Sequence, residues 1–322
     1  MILKKRDLSC FPVQFFAVLM GISGLSILYA KAYHVLNFSS IWYLSLLTIN
    51  TILFFVIFTI YILKWVKYPY KVVEELNHPI KSSFVPAISI SMLLLSIAYY
   101  DYAPTVSVAF WYLGAPLHLY FTLRTIKFWM IDEKLNINHI NPAWFIPVVG
   151  NLLVPVVGVD VLPLAISIFY FSIGIFFWIM LFTIVMYRMI FHNPMPGKLV
   201  PTLFILIAPP AVGFVSYFRI TFGSIDMMSM FLYSIALVIT LLMFAKLRVF
   251  ISSKFFISWW AYTFPLAAVS IASILMYMTY HNSFNYIVSL FLISLTTMVV
   301  ALVFYKTIIA IKKEEICLEE EG

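Results

Sequence analysis

Charge is scarce in this sequence. Asp, Glu, Lys and Arg make up only 10% of its 322 residues, whereas 64% are hydrophobic and the mean hydropathy is +1.03. No soluble domain has use for so much apolar surface, so the composition excludes a cytosolic globular protein and specifies a polytopic membrane protein. Cysteine is rarer still. Cys10 and Cys317 are the only two, both at ends expected to face the cytoplasm, so a disulfide framework is excluded and free thiols are expected. Also missing are a Walker loop, GxSxG, HExxH and any Cys and His cluster of metal-ligand spacing. An enzyme, a metal, a cofactor or a nucleic-acid partner is therefore not expected.

The N-terminal MILKKRDLSCFPVQFF looks like a signal peptide, but its apolar run reaches Ala30 without a small-residue cleavage site. It reads instead as a first transmembrane helix. Cys10 follows charges rather than an apolar stretch, which argues against a lipoprotein site. Ten uncharged stretches are each long enough to cross hydrocarbon about 30 Å thick. They are Phe11–Ala30, Ser40–Leu63, Ser83–Tyr100, Thr105–Leu123, Pro142–Val159, Val161–Met186, Leu199–Phe218, Met227–Ala245, Phe256–Tyr280 and Phe284–Tyr305. With ten spans, the termini and the even-numbered loops hold 18 of the 20 Lys and Arg, among them Lys4, Lys5, Arg6, Lys64, Lys67, Lys71, Lys81, Lys246, Arg248, Lys254, Lys312 and Lys313. The opposite side holds Lys31 and Arg219. The positive-inside rule thus predicts both termini in the cytoplasm, and one missed span would have scrambled the asymmetry. Residues 1–322 read as one transmembrane domain, its basic face in contact with anionic membrane lipid and able to concentrate anions.

Proline punctuates alternate spans. Pro12, Pro86, Pro147, Pro209 and Pro265 fall at or within spans one, three, five, seven and nine, and phenylalanine recurs beside them in CFPVQFF, SSFVPAI, AWFIPVV, TLFILIAPP and YTFPLAA. Recurrence at intervals of about one hairpin suggests five repeated helix pairs. Pro12 and Pro86 fit a helix first turn. Pro209, Pro210, Pro265 and Pro155 lie deeper and are expected to break their helices, which hydrocarbon tolerates only against protein or a water-filled cavity. The odd spans are therefore expected to form an inner ring and the even spans an outer one. Small and polar residues of the odd spans, such as Ser23, Ser89, Gly150, Asn151 and Ser270, serve packing first and a wet path second.

None of the ten stretches carries Asp, Glu, Lys or Arg, and His118 is the one titratable side chain within them. His118 fits a hydrogen bond between helices better than a proton relay. Coupled pumps usually place an ionisable group in the membrane. A charge-free, phenylalanine-rich inner ring with a basic mouth suits passive passage of anions, and the acidic rings that a cation would need are absent from the spans. An apolar side chain in the bore closes such a path by dewetting it. Phe264, beside Pro265, is the candidate plug; the competing reading sets it against lipid or between helices.

Five segments then carry a resemblance. SWWAYTFP at Ser258–Pro265, NHPIKSSF at Asn77–Phe84, NPAW at Asn141–Trp144, VVGN ending at Asn151 and LIAPP at Leu206–Pro210 resemble, in order, the tellurite-resistance/dicarboxylate transporter (TehA-like) family, which includes the plant guard-cell slow anion channels. The resemblance covers nearly the whole chain. It implies an all-α protein of ten transmembrane helices in five hairpins, with quasi-fivefold symmetry around a central pore and assembly as a homotrimer. It also implies a pore occluded by the ninth-helix phenylalanine, here Phe264, narrowed by Phe84, Phe145 and Phe16. The inner-helix breaks would be Pro86, Pro147, Pro155, Pro209, Pro210 and Pro265. The expected function is passive passage of chloride or nitrate across a microbial inner membrane; the alternative is a secondary transporter of C4-dicarboxylates or tellurite.

Overall fold

The computed structural model describes residues 7–133, 135–246 and 254–316. Lys4, Lys5, Arg6, Arg248 and Cys317, which entered the charge and thiol arguments, lie outside the described residues. The described chain is helical, without strands, and contains ten helices long and apolar enough to cross a membrane. The odd spans are Val13–Leu36, Lys81–Tyr99, Pro142–Val161, Gly197–Ile220 and Ile257–Tyr280. The even spans are Ser40–Lys67, Pro104–Ile131, Leu164–Phe191, Met227–Ala245 and Ser283–Lys312. Met227–Ala245 agrees with the sequence reading at both ends, and the others shift by up to eight residues.

The two sets are built differently. Each even span is one continuous α-helix, and all but span six start on an ordinary device. Pro104 occupies a first-turn position, where its missing N–H costs nothing, and the Asp226 and Asn282 side chains accept backbone N–H groups of the first turn. Each odd span begins as a 3-10 helix and becomes α only afterwards: Val13–Phe15 before Phe16–Leu36, Lys81–Phe84 before Ala87–Tyr99, Gly197–Ile207 before Ala208–Ile220 and Ile257–Tyr262 before Thr263–Tyr280. Span five alternates twice, through Pro142–Phe145, Ile146–Val149, Gly150–Leu153 and Val154–Val161.

This corrects the expectation of deep helix breaks. Pro147, Pro155, Pro209 and Pro210 sit in the first turn of an α segment, Pro86 at its cap and Pro265 third within Thr263–Tyr280. The interruption is the change of helix type, and the proline follows it at a place where an N–H has no α-helical partner anyway. Pro116, by contrast, stands inside the continuous helix of span four.

Burial separates two concentric layers. In the odd spans 78–89% of the most apolar window is buried; in the even spans only 28–39% is. Span one packs on three, five on three and seven, and nine on seven and one, which closes the inner layer into a ring. Close approach between one and nine depends on glycine: a Cβ at Gly21 would overlap Thr263 Oγ1 and reach within 2.8 Å of Trp260 Cε3, and one at Gly24 would come within 2.9 Å of the Ala267 Cβ.

Polar side chains of the inner layer bond to the outer one. Asn50 donates to Ser23 Oγ at 2.6 Å, Tyr233 to Ser273 Oγ at 3.1 Å and Trp260 to Thr307 Oγ1 at 2.9 Å, while Ser270 pairs with Thr296 at 2.9 Å. These bonds satisfy polar groups in an apolar setting and tie the two layers together. His118 belongs to this class. Fully buried, it pairs through Nδ1 with Ser89 Oγ at 2.9 Å, next to Thr122, which donates to the Pro147 carbonyl at 2.6 Å and accepts from Asn151.

Charge extends further into the helices than the apolar stretches indicated. The α-helices continue past them, so Lys64 and Arg188 fall within spans two and six, at 1% and 2% exposure.

Candidate permeation path

Where the odd spans change helix type, their side chains converge on a cavity of about 60 Å³. All five contribute: Ala17 from span one, Phe84 and Ile90 from three, Phe145 and Leu153 from five, Ile205 and Val212 from seven, Ala261 and Phe264 from nine. The wall is almost wholly apolar and carries no charged residue. A space with room for a few waters, and with Gln14 and Ser258 as its few polar lining residues, favours the dry state. It is a narrow place in the ring of inner spans.

The sequence places the phenylalanines there through capping. His78 Nδ1 accepts the backbone N–H groups of Ile80 and Lys81 at 3.0 and 3.2 Å, where the 3-10 segment ending in Phe84 begins. Arg124 holds the preceding turn by donating to the Leu76 carbonyl and to Asn77 Oδ1, each at 3.0 Å. Asn141 Oδ1 accepts from Ala143 N at 3.0 Å and starts the segment ending in Phe145. Asparagine and histidine ahead of a proline were therefore start signals for these entries.

Phe264 lies at the second position of Thr263–Tyr280, half-buried, its ring 3.3 Å from where a Cβ on Gly24 would stand. Phe84, Phe145 and Phe264 share the cavity, but Phe16 does not. The Phe16 ring instead meets Tyr61 of span two edge-on at 5.6 Å, so the pore-lining role expected of it is corrected to a packing role between the layers. Among the prolines Pro265 alone touches the cavity. Sequence reasoning missed Gln14, Ile257 and Trp260, whose signal was the one-face spacing of 3-10 residues rather than any motif.

A vestibule of about 480 Å³ adjoins the constriction at the lysine-rich end, and Gln14, Phe84, Ile257 and Ser258 line both spaces. Its wall carries Lys64, Lys71, Lys81 and Lys198 together with Glu74, Glu75 and Glu315. Lys64 Nζ donates to Glu75 Oε1 and to the Phe11 carbonyl, each at 2.8 Å, and Tyr61 donates to Glu75 Oε2 at 3.0 Å. That buried set pins the helix Pro69–Asn77 and the approach to span one against span two. Lys71 hydrogen-bonds Glu74 at 3.0 Å and holds its carboxyl below the usual range.

At the opposite end, Arg219 of span seven pairs with Asp160, donates to the Val156 carbonyl at 2.9 Å and to Tyr100 OH at 3.1 Å, and lies over the Tyr100 ring at 5.2 Å. Lys31 stands 4.0 Å from Asp101. The two cations that the charge count set apart are thus both paired with carboxylates, Asp160 at the end of span five and Asp101 in the turn after span three. Among the described residues no cluster of His, Cys, Asp and Glu suits a metal ion.

The comparisons match this architecture. A family model described as SLAC1, voltage-dependent anion channel, matches residues 10–308. An uncharacterized transporter of Methanocaldococcus jannaschii is 31% identical over 297 residues, covering 83% of this chain and 85% of its own. The S-type anion channel SLAH3 of Arabidopsis thaliana is 28% identical over 312 residues, 93% of this chain and 48% of its own. The guard cell S-type anion channel SLAC1 of the same plant is 24% identical over 279 residues, 82% and 49%. The chain spans about half the length of these two plant relatives. With ten membrane-spanning helices and a match over residues 10–308, the chain belongs to the SLAC1 family of voltage-dependent anion channels.

Proposed function

We propose that this protein is a passive channel for small monovalent anions such as chloride and nitrate, closed by Phe264. The single observation that carries the reading is the constriction itself: five inner spans meet around an apolar space without one charged lining residue, below a vestibule lined by four lysines and three glutamates. A carrier coupled to protons or sodium needs a group that binds the driving ion. The one buried histidine of the inner wall region, His118, sits behind Gly150 and is engaged with Ser89. With four lysines against three glutamates, and Lys64 and Lys71 paired with Glu75 and Glu74, the vestibule is weakly positive and favours anions at the mouth to that extent, and Phe264 closes the bore by dewetting.

Five like hairpins around the ring support quasi-fivefold symmetry about a central pore. The exposed apolar surface of the even spans, including Trp42, Phe176 and Phe291, suits lipid and the neighbouring copies of a homotrimer. The charge asymmetry supports both termini in the cytoplasm, and the membrane of this reading is a microbial plasma membrane. The test is flux from proteoliposomes loaded with chloride. Efflux that tracks the chloride gradient at any imposed pH difference supports the channel. Uptake of dicarboxylate or tellurite driven by a pH difference, in fixed stoichiometry, would replace it with the carrier.

A further inference from the structure

Four residues line both the vestibule and the constriction and so form the neck between them: Gln14, Phe84, Ile257 and Ser258. Phe84 and Ile257 are apolar. The Ser258 hydroxyl is committed to the Lys198 carbonyl at 2.6 Å. Gln14 alone offers a side-chain amide at this level.

Gln14 occupies the middle of the one-turn 3-10 segment Val13–Phe15. Its neighbours Val13 and Phe15 are buried, and Phe15 stacks on Phe11 at 4.8 Å, which fixes the backbone that presents it. Three-residue spacing puts Gln14, Ala17 and Met20 on one face, and all three line the constriction. Its Oε1 is buried and has no hydrogen-bond partner among the described residues. The amide is thus turned with its carbonyl into the protein, leaving Nε2 as the end open to the path. Reversing it would bury two unsatisfied donors in place of one acceptor, which costs more.

An anion leaving the vestibule has to shed water against hydrocarbon. Two N–H donors at that point replace part of the lost hydration without fixing a positive charge that would trap the ion. We propose that Gln14 Nε2 forms an anion-binding site at the neck, which takes a halide or nitrate and sets the preference among them. The proposal rests on the reading of the protein as an anion path.

Two measurements test it, on wild type and Gln14→Leu. In crystals soaked in bromide, wild type is expected to show an anomalous peak within hydrogen-bond distance of Gln14 Nε2 that Gln14→Leu lacks; no such peak in wild type overturns the site. In bilayers, with Phe264→Ala in both to open the path, Gln14→Leu is expected to raise nitrate permeability relative to chloride about fivefold, because chloride holds water more tightly and loses more with the donors. An unchanged ratio overturns the selectivity role even if bromide binds. Absence of any anion current from Phe264→Ala protein would sink the channel reading instead, and the bromide peak would then decide for or against the neck site by itself.

Discussion

As the proposed gate, Phe264 would act through volume. It contributes a ring to an apolar cavity of about 60 Å³, so trimming that ring enlarges the dry space and lowers the dewetting barrier. Anion conductance is expected to rise in the order Phe264, Phe264→Leu, Phe264→Ala, with the Ala variant about tenfold or more above wild type; single-channel recording ranks the three. Lys64 acts through charge. It is 1% exposed and bonds Glu75 at 2.8 Å, so Lys64→Met strands a buried carboxylate and is expected to cost about 3–5 kcal/mol. Lys64→Met with Glu75→Leu should recover most of that. Thermal unfolding in detergent measures both, and a double variant as unstable as the single would show that the pair does not act as a unit. This pair was invisible in the sequence, because hydropathy ended span two at Leu63 and nothing near Lys64 announced Glu75, eleven residues on.

At the scale of elements, alternate spans differ in kind, and the prolines said so. Their recurrence with phenylalanine identified the odd spans as the special ones, and the burial of those spans follows it. What the sequence could not convey was the 3-10 entry. Residues such as ISWWAY and GKLVPTLFILI keep the apolar character of a span in either helix type, so periodicity has little to distinguish, and Pro265 read as an interior break when it lies in a first turn. The Phe16 assignment failed for a related reason: the 3-10 turn Val13–Phe15 rotates Gln14 toward the path and Phe16 toward Tyr61. The contact of spans one and nine is narrow enough to test. Gly21→Ala adds a methyl that overlaps Thr263 and stands 2.8 Å from Trp260, so the spans have to part, at an expected cost of about 1–3 kcal/mol. A Gly21→Ala protein as heat-stable as wild type would contradict that packing.

The molecule as a whole is a closed ring of compound helices inside a ring of continuous ones. Ten spans and their layering were legible from hydropathy, proline and the placement of 18 of 20 basic residues. The neck was not, since it arises from side chains that four separated segments bring together. Among the residues that line the constriction none is charged, and charge near the path stands in the vestibule and in the Arg219–Asp160 and Lys31–Asp101 pairs. The central claim is a passive anion path stoppered by one aromatic ring. Current recording from purified protein in planar bilayers, wild type against Phe264→Ala under a chloride gradient, tests it most directly. The account predicts larger currents from Phe264→Ala that reverse at the chloride equilibrium potential and ignore pH. Currents equal to wild type in a folded Phe264→Ala protein, or a reversal potential that follows the proton gradient, would contradict it.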